Sequence, residues 1–306
     1  MKRDLLSLWD LTSGEIIHII HRARSMKEEW ARNQLKKSMA GKTLGMIFVK
    51  PSTRTRVSFE AAAYRLGGNC IFMTEKDTQL SRKEPLADTA RVLSRYVDIL
   101  VMRTYGHDDV VELARHATIP VINGLTDSFH PCQILADLMT VEERRGSIDG
   151  LRAAWVGDGN NVAHSWINAA AILGFSLTLA CPEGYDPEAG VMEKARSEGR
   201  GEIILTRYPR EAAALADVIS TDVWASMGQE EEAEARRQVF RPYQVGATLL
   251  SGAPPKAIVL HCLPAHRGEE ITDEVLEGPQ SAVFDQAENR LHVQMALMEW
   301  MLEGSA

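Results

Sequence analysis

The segment Lys50-Pro51-Ser52-Thr53-Arg54-Thr55-Arg56-Val57-Ser58-Phe59-Glu60 has the greatest influence on the predicted fold. An apolar run at residues 43–49 precedes it and predicts a buried strand. Phe59 begins an apolar stripe at helical spacing that ends at Gly67-Gly68. The segment therefore joins a strand to a helix N-terminus, where free backbone N–H groups and the helix dipole favour an anion.

The side chains of this segment suit a phosphate group. A guanidinium such as that of Arg54 matches phosphate oxygens in a planar fork. Arg54 and Arg56 are two positions apart on the predicted helix and cannot face one ligand, so Arg56 is free to pair with Glu60. An ordinary capped helix with two solvated arginines is the alternative interpretation. Hydroxyl donors are supplied by Ser52, Thr53 and Thr55.

Length and composition narrow the class of protein. The chain has 306 residues, which predicts about two domains, and its hydrophobic content of 45% is typical of a globular protein. A formal net charge of −8 argues against nucleic acid or a membrane surface as a partner. The four cysteines are widely separated, which favours a reducing compartment. No targeting segment or membrane-length apolar run is evident, so we expect the cytoplasm.

Strand and helix patterns alternate along the chain, which predicts an α/β fold of two lobes, each a parallel β-sheet flanked by helices. Strands are predicted near 43–49, 69–74, 98–102, 119–122, 152–156, 176–180, 202–206, 217–220, 257–260 and 282–284. Helices are predicted near 15–35, 54–66, 86–96, 108–116, 131–145, 162–173, 187–199, 242–250 and 286–302. We expect domains at 1–146, completed by 286–306, and at 147–285, with the active site in the cleft between the lobes.

Polar residues follow several of these strands, at the ends where ligands bind in open α/β sheets. Arg103 comes directly after one strand, and His130 and Gln133 flank Pro131, which suits a first helical turn. Taken singly, Arg103 is also compatible with a helix-capping role, and His130 with a capping or core-edge role. A polar loop at residues 220–230 is predicted to be either solvated or a substrate lid.

Two further segments allow several chemistries. Val156-Gly157-Asp158-Gly159-Asn160-Asn161 resembles part of a dinucleotide fingerprint, but Val162 takes the third glycine position, which argues against a nicotinamide cofactor. Asn161 is instead a candidate for an amino-acid carboxylate or amine. The segment His261-Cys262-Leu263-Pro264 is compatible with a thiol nucleophile or with a metal site. No third group that would orient a Cys–His pair is evident from the sequence.

Five segments together resemble the aspartate/ornithine carbamoyltransferase family, and the last two resemble its ornithine-using members. They are Ser52-Thr53-Arg54-Thr55-Arg56, Met102-Arg103, His130-Pro131-Cys132-Gln133, Asp222-Val223-Trp224-Ala225-Ser226-Met227-Gly228 and His261-Cys262-Leu263-Pro264. The resemblance covers roughly residues 4–302. It implies transfer of the carbamoyl group from carbamoyl phosphate to the δ-amine of L-ornithine, giving L-citrulline and phosphate. It also implies a homotrimer and no metal or organic cofactor.

The resemblance assigns roles to individual residues. Carbamoyl phosphate would be held by Ser52, Thr53, Arg54, Thr55, Gln79 (from this or a neighbouring subunit), Arg103, His130, Gln133, Cys262, Leu263 and Arg290. Ornithine would be held by Asn161, Asp222, Ser226 and Met227. The residues expected to act in catalysis are Arg54, Arg103, His130 and Cys262.

Other functions remain open at this point. Putrescine, an N-acylornithine or aspartate are alternative acceptors, although Asp222 opposite an α-ammonium favours an amino acid with a cationic tail. An NAD-dependent dehydrogenase is the rival architecture. A non-catalytic binding relative is the third possibility, and the presence of Arg54, Arg103, His130 and Cys262 argues against it.

Overall fold

The structure, a computed structural model, describes residues 2–225 and 232–304. Two compact units are present: Met1–Met139 with Asn289–Ala306, and Thr140–Glu288. The limits expected above for the two binding domains, 1–146 with 286–306 and 147–285, stay a prediction.

The first unit contains a four-stranded parallel sheet in the order β2-β1-β3-β4. The chain runs from β1 outward to β2 and then returns to β3 on the other side, so the strand order reverses between β1 and β3. The strands are β1 (Thr43–Phe48), β2 (Asn69–Thr74), β3 (Ile99–Arg103) and β4 (Val121–Leu125). The helices are α1 (Ser13–Ala31), α2 (Thr53–Arg65), α3 (Leu86–Leu93), α4 (His107–His116) and α5 (Pro131–Arg145), the last of which continues into the second unit.

The second unit contains a five-stranded parallel sheet in the order β7-β6-β5-β8-β9. Here the strand order reverses between β5 and β8. The strands are β5 (Arg152–Val156), β6 (Ser176–Ala180), β7 (Ile203–Thr206), β8 (Val218–Thr221) and β9 (Ile258–His261). The helices are α6 (Asn161–Leu173), α7 (Ala189–Glu198), α8 (Pro209–Ala213), α9 (Ala233–Phe240), α10 (Ala247–Leu250) and α11 (Asp273–Leu276). The last helix, α12 (Val283–Glu303), begins in the second unit and belongs to the first unit from Asn289 onward. The predicted α/β class with two parallel sheets flanked by helices is confirmed.

The start of α2 follows from its sequence. The Ser52 side chain caps the helix by accepting a hydrogen bond from the backbone N–H of Thr55 at 3.2 Å. Phe59 is fully buried, as the helical stripe requires. The predicted pairing of Arg56 with Glu60 is confirmed, since Arg56 Nε donates to Glu60 Oε1 at 2.9 Å.

Two predicted elements are wrong. No strand forms at 282–284, because the chain enters α12 at Val283 and only Ser281 bridges to Val259. Such a short apolar run does not distinguish a strand from a helix start. The predicted helix at 242–250 is interrupted: a 3-10 turn ends at Tyr243, Val245 pairs as a β-bridge, and only α10 is helical.

The last helix packs on a core, as its apolar spacing predicts. Met295, Met298 and Met301 on α12 have no exposed surface. This part of α12 belongs to the first unit, where Arg22 Nε of α1 donates to Glu299 Oε1 at 2.6 Å. Across the described residues, we find no helix with the length and apolar character needed to cross a membrane.

Candidate active site

Arg103 is fixed against the segment that follows β1. Phe48 and Arg103 are register partners, and the Arg103 carbonyl accepts from the Val49 N–H at 2.8 Å. The Arg103 Nε in turn donates to the Lys50 carbonyl at 3.2 Å. The side chain is buried at the carboxyl end of β3, next to the point where the strand order reverses. In open α/β sheets this is the position where ligands bind.

Arg290 joins the α2 cap to α5 through buried hydrogen bonds. One of its Nη atoms donates to Thr55 Oγ1 at 2.9 Å and the other to Gln133 Oε1 at 3.0 Å. Ser52 Oγ also donates to Thr55 Oγ1, at 3.1 Å. Gln133 is held from its other end, because its Nε2 donates to Asp137 Oδ1 at 2.8 Å. Four of the predicted residues therefore form one connected set.

His130 is the electrostatic centre of this group. It is 4% exposed, and burial together with the surrounding cations lowers its pKa well below the usual 6.5. The cations, in order of effect, are Arg290, Arg103, Arg54 and Lys50. His130 is therefore neutral at physiological pH, so it offers one N–H and one lone pair. Arg54 and Arg103 therefore lie close enough to His130 for their charges to act on the imidazole.

Lys50 is a site residue that the sequence analysis did not assign. Its side chain is only 6% exposed, and its Nζ pairs with Asp127 Oδ1 at 2.9 Å while lying 5.0 Å from the Tyr105 ring centre. In the sequence, Lys50 follows β1 directly and lies in the same segment as the arginines, and this position was the signal that could have identified it as a site residue. The ammonium adds a fourth positive charge around His130.

A cavity lies beside the α2 N-terminus. Its volume is about 570 Å³, within the range of small-molecule sites. Ser52 and Thr53 line it together with Arg56 and Phe72. Gln79 is placed elsewhere: it is exposed in a 3-10 turn that ends at Arg82. Among the described residues of this chain, Gln79 makes no hydrogen bond to the predicted phosphate ligands.

The burial of His130 predicts a loss of stability in acid. Its folded-state pKa lies below the unfolded value of about 6.5, so between the two values the unfolded chain binds more protons. The free energy of unfolding should therefore fall as pH drops below 6.5, by at most about 1.4 kcal/mol per pH unit for this one group. Urea titrations from pH 5 to 8 should show this slope, and it should be reduced in H130Q.

A matched control is available on α1. The exposed His18, changed to glutamine, leaves His130 in place and should keep the wild-type slope. Equal slopes in the wild type and in H130Q would contradict the assignment of the acid sensitivity to His130.

In the second unit, the Asp222 carboxylate accepts hydrogen bonds from three donors at the end of β8. Its Oδ2 accepts from Asn160 Nδ2 at 2.9 Å, and its Oδ1 accepts from Cys262 Sγ at 3.0 Å and from the Val223 N–H at 2.8 Å. Asp222 is 8% exposed. The strands β5, β8 and β9 thus bring their carboxyl ends together around one carboxylate, where this sheet also reverses its strand order.

The residue that caps α6 and positions Asp222 is Asn160, which the sequence analysis did not choose. Asn160 Oδ1 accepts from the N–H groups of Val162 and Ala163 at 2.9 and 3.2 Å. Asn161, the predicted ligand, is the first residue of α6 and is 9% exposed. Ser226 and Met227, the other two predicted ornithine ligands, lie outside the described residues.

A buried ion pair borders Asp222. Arg236 Nη2 pairs with Asp158 Oδ2, and the guanidinium lies 4.7 Å from the ring centre of Tyr185. The pKa of Asp158 is raised to about 6, chiefly by burial; Arg236 opposes the rise and the neighbouring Asp222 adds to it. The sequence analysis missed this pair, whose members are far apart along the chain.

Gly159, in the 156–161 segment, serves internal packing. A Cβ on Gly159 would lie 2.2 Å from the Pro187 backbone nitrogen, so the chain itself occupies the space in front of this glycine. In a dinucleotide fingerprint, the second glycine lets the pyrophosphate approach the backbone. The geometry therefore argues against the dinucleotide interpretation.

His261 does not form a nucleophilic pair with Cys262. Its Nδ1 accepts from the Leu263 N–H and its Nε2 faces Glu270 Oε1, both at 2.9 Å. The Cys262 thiol donates to Asp222 instead. Asp222, His261 and Cys262 offer ligand atoms within 4.8 Å of one another, a spacing suited to a metal. Binding one through His261 would break one of the two ring hydrogen bonds.

Together, the fold and the two residue groups define an α/β group transferase with an arginine-rich anion site and a carboxylate suited to an amine. Residues 3–143 match the carbamoyl-P binding domain, and residues 149–301 the Asp/Orn binding domain, of aspartate/ornithine carbamoyltransferases. The chain belongs to the aspartate/ornithine carbamoyltransferase family.

Individual relatives are similar to this chain over nearly its whole length. The chain is 56% identical to the ornithine carbamoyltransferase of Syntrophus aciditrophicus, covering 99% of this chain and 100% of the relative. It is 52% identical to the anabolic ornithine carbamoyltransferase of Pseudomonas aeruginosa, covering 98% and 97%. The solved structure of the Pyrococcus furiosus ornithine carbamoyltransferase matches with a TM-score of 0.93 at 53% identity, covering 97% of this chain and 96% of that one.

Proposed function

We propose that the chain catalyses transfer of the carbamoyl group from carbamoyl phosphate to the δ-amine of L-ornithine, producing L-citrulline and phosphate. The observation that carries the proposal is the convergence of Arg54, Arg103 and Arg290 on a buried, neutral His130. The high identity to proteins named ornithine carbamoyltransferase supports ornithine as the acceptor.

The cationic group suits the charge that develops during transfer. When an amine attacks the carbamoyl carbon, negative charge grows on the carbonyl oxygen and on the departing phosphate. Preorganised donors aimed at such charge supply a large part of catalysis. The arginines bind the phosphate oxygens, and neutral His130 donates to the carbamoyl oxygen without carrying charge of its own, as a neutral imidazole can.

The second group suits the acceptor. Asp222 binds the α-ammonium of ornithine. Asn160 and Cys262 fix the direction of the Asp222 carboxylate. The attacking amine must lose a proton, although a lysine-like amine has a pKa of about 10.4. Nearby arginine charge lowers that pKa, and the departing phosphate accepts the proton, so the proposed reaction needs no metal or organic cofactor.

The proposed ligand sets keep every residue assigned from the sequence. For carbamoyl phosphate they are Ser52, Thr53, Arg54, Thr55, Gln79, Arg103, His130, Gln133, Cys262, Leu263 and Arg290. For ornithine they are Asn161, Asp222, Ser226 and Met227. Asn160 and Lys50 are added as positioning residues. A homotrimer in the cytoplasm completes the proposal, and the four free thiols agree with a reducing compartment.

A panel of acceptors tests the proposal directly. Purified protein with carbamoyl phosphate should form a ureido product from L-ornithine, detected colorimetrically and identified by mass as citrulline. Aspartate, putrescine and N-acetylornithine serve as matched acceptors under the same conditions. The α-ammonium that pairs with Asp222 is blocked in N-acetylornithine, which should therefore react at least about 100-fold more slowly than L-ornithine at equal concentration. Putrescine keeps an ammonium at that position and lacks only the α-carboxylate, so its rate tests whether the carboxylate is recognised as well.

The panel separates the alternatives. Product from aspartate, putrescine or N-acetylornithine but not from ornithine would overturn the proposed acceptor and keep the reaction class. The absence of any ureido product, with carbamoyl phosphate still binding to the protein, would favour a non-catalytic relative.

A further inference from the structure

The turn after β9 is held by a buried carboxylate–imidazole pair that has no role in the function proposed above. Glu270 and His261 have side chains with no exposed surface, and His261 Nε2 lies 2.9 Å from Glu270 Oε1. The same Glu270 oxygen accepts from the His266 N–H at 2.6 Å. The backbone N–H of His261 donates to Gln286 Oε1 at 2.9 Å. Both the ring and the backbone of His261 are therefore fixed.

The hydrogen bonds determine the tautomer of His261. The Leu263 N–H can only donate, so the His261 Nδ1 that receives it at 2.9 Å must carry a lone pair. Nε2 then carries the proton and donates it to Glu270. A carboxylate at this place fixes both the tautomer and the ring orientation of its histidine, as carboxylates do for histidines that bind metals.

This arrangement orients the peptide group between Cys262 and Leu263. In a trans peptide the N–H and the C=O point in opposite directions. Because the Leu263 N–H points to the His261 ring, the Cys262 carbonyl points away from it. Leu263 has a φ of 58°, a left-handed conformation that is costly for a branched residue and persists only where its surroundings enforce it.

We propose that Glu270 and His261 are positioning residues for carbamoyl transfer, which hold the Leu263 N–H inward and thereby aim the Cys262 carbonyl at the reacting groups. The inference rests on the proposed function, in which Cys262 and Leu263 lie beside the acceptor amine and the carbamoyl group. The outward carbonyl is an acceptor for an N–H of either group. The Cys262 thiol, bonded to Asp222, fixes the same residue from its side chain.

Two substitutions of one residue separate this role from a general loss of packing. In H261N the amide oxygen takes the place of Nδ1 and can still accept the Leu263 N–H, although it no longer reaches Glu270. In H261Q the side chain reaches toward Glu270 but leaves no acceptor at the Nδ1 position. Both substitutions remove the ring from the same buried site, so the midpoint temperatures of thermal unfolding of the two variants should be lowered by similar amounts.

The variants should differ in turnover. We expect kcat for citrulline formation to fall about 100-fold in H261Q and in Glu270→Leu, the size expected for misplacing a reacting group. In H261N and E270Q, which keep the needed acceptor atoms, kcat should stay within about 10-fold of the wild type. The KM for carbamoyl phosphate should change much less than kcat in all four, because the residues proposed to bind its phosphate lie in the first unit. Equal losses in H261N and H261Q would overturn the proposal.

A measurement without turnover tests the tautomer itself. In protein with ¹⁵N-labelled histidine, the signals missing from H261N identify His261. We expect a protonated Nε2 and an unprotonated Nδ1, with mixed tautomers in Glu270→Leu. A protonated Nδ1 in the wild type would overturn the positioning role even if citrulline forms. A wild type with the expected tautomer but no citrulline would instead overturn the proposed function.

Discussion

Replacing Arg54 with alanine should lower kcat/KM for citrulline formation by about 10³-fold, the upper range for removing one preorganised donor. Arg54 lies in the first turn of α2, is exposed, and contributes to the positive field at His130. Within residues 2–225 and 232–304 it makes no hydrogen bond, so folding does not depend on it. The loss should therefore appear in steady-state kinetics while the urea midpoint stays near that of the wild type.

Arg56 provides the matched control two positions along the same helix. It pairs with Glu60 and lies 3.8 Å from the Phe72 ring centre, so it is already engaged. R56A should cost about 1 kcal/mol of stability and leave kcat/KM within about 5-fold of the wild type. Equal kinetic losses in R54A and R56A would contradict the assignment of phosphate binding to Arg54 rather than to Arg56.

The anion site was predictable because its signals are local. A strand followed by a Ser/Thr cap specifies a helix N-terminus without any long-range information, and Ser52 caps α2 as expected. Pro131 likewise begins α5 at a first helical position. Because carboxyl ends of parallel strands meet at one edge, residues such as Arg103 could be grouped with this site before any contact was known.

What could not be predicted depends on single-residue register or on distant partners. Helix starts are uncertain by a residue or two, and one residue turns a side chain by about 100° around the helix axis. That Asn160 bonds to Asp222 could therefore be seen only in the structure. The direction of Lys50 depends on Asp127, and the need for Gly159 depends on Pro187. Neither partner lies near in sequence.

Replacing Asp222 with alanine should raise the KM for ornithine by about 10²- to 10³-fold, because truncating one partner of a buried charge pair costs about 2–5 kcal/mol. The substitution also removes the acceptor for Asn160 Nδ2 and Cys262 Sγ. The residues proposed to bind the phosphate lie in the first unit, so carbamoyl phosphate should still bind with wild-type affinity by calorimetry. D222N keeps the shape and an acceptor oxygen but loses the charge, and should show most of the same KM effect.

Asp217 is the matched control, since it precedes β8 just as Asp222 follows it. Its carboxylate accepts from the Arg152 N–H at 3.0 Å and lies 3.5 Å from Arg145 Nε, so its role is at the opposite end of the strand. D217A should lower the thermal midpoint and leave the KM for ornithine unchanged. A D222N enzyme with wild-type KM would show that the carboxylate charge does not bind the α-ammonium. Asp222 would then act only by holding Asn160 and Cys262 in place, and the preference for ornithine over N-acetylornithine would need another source.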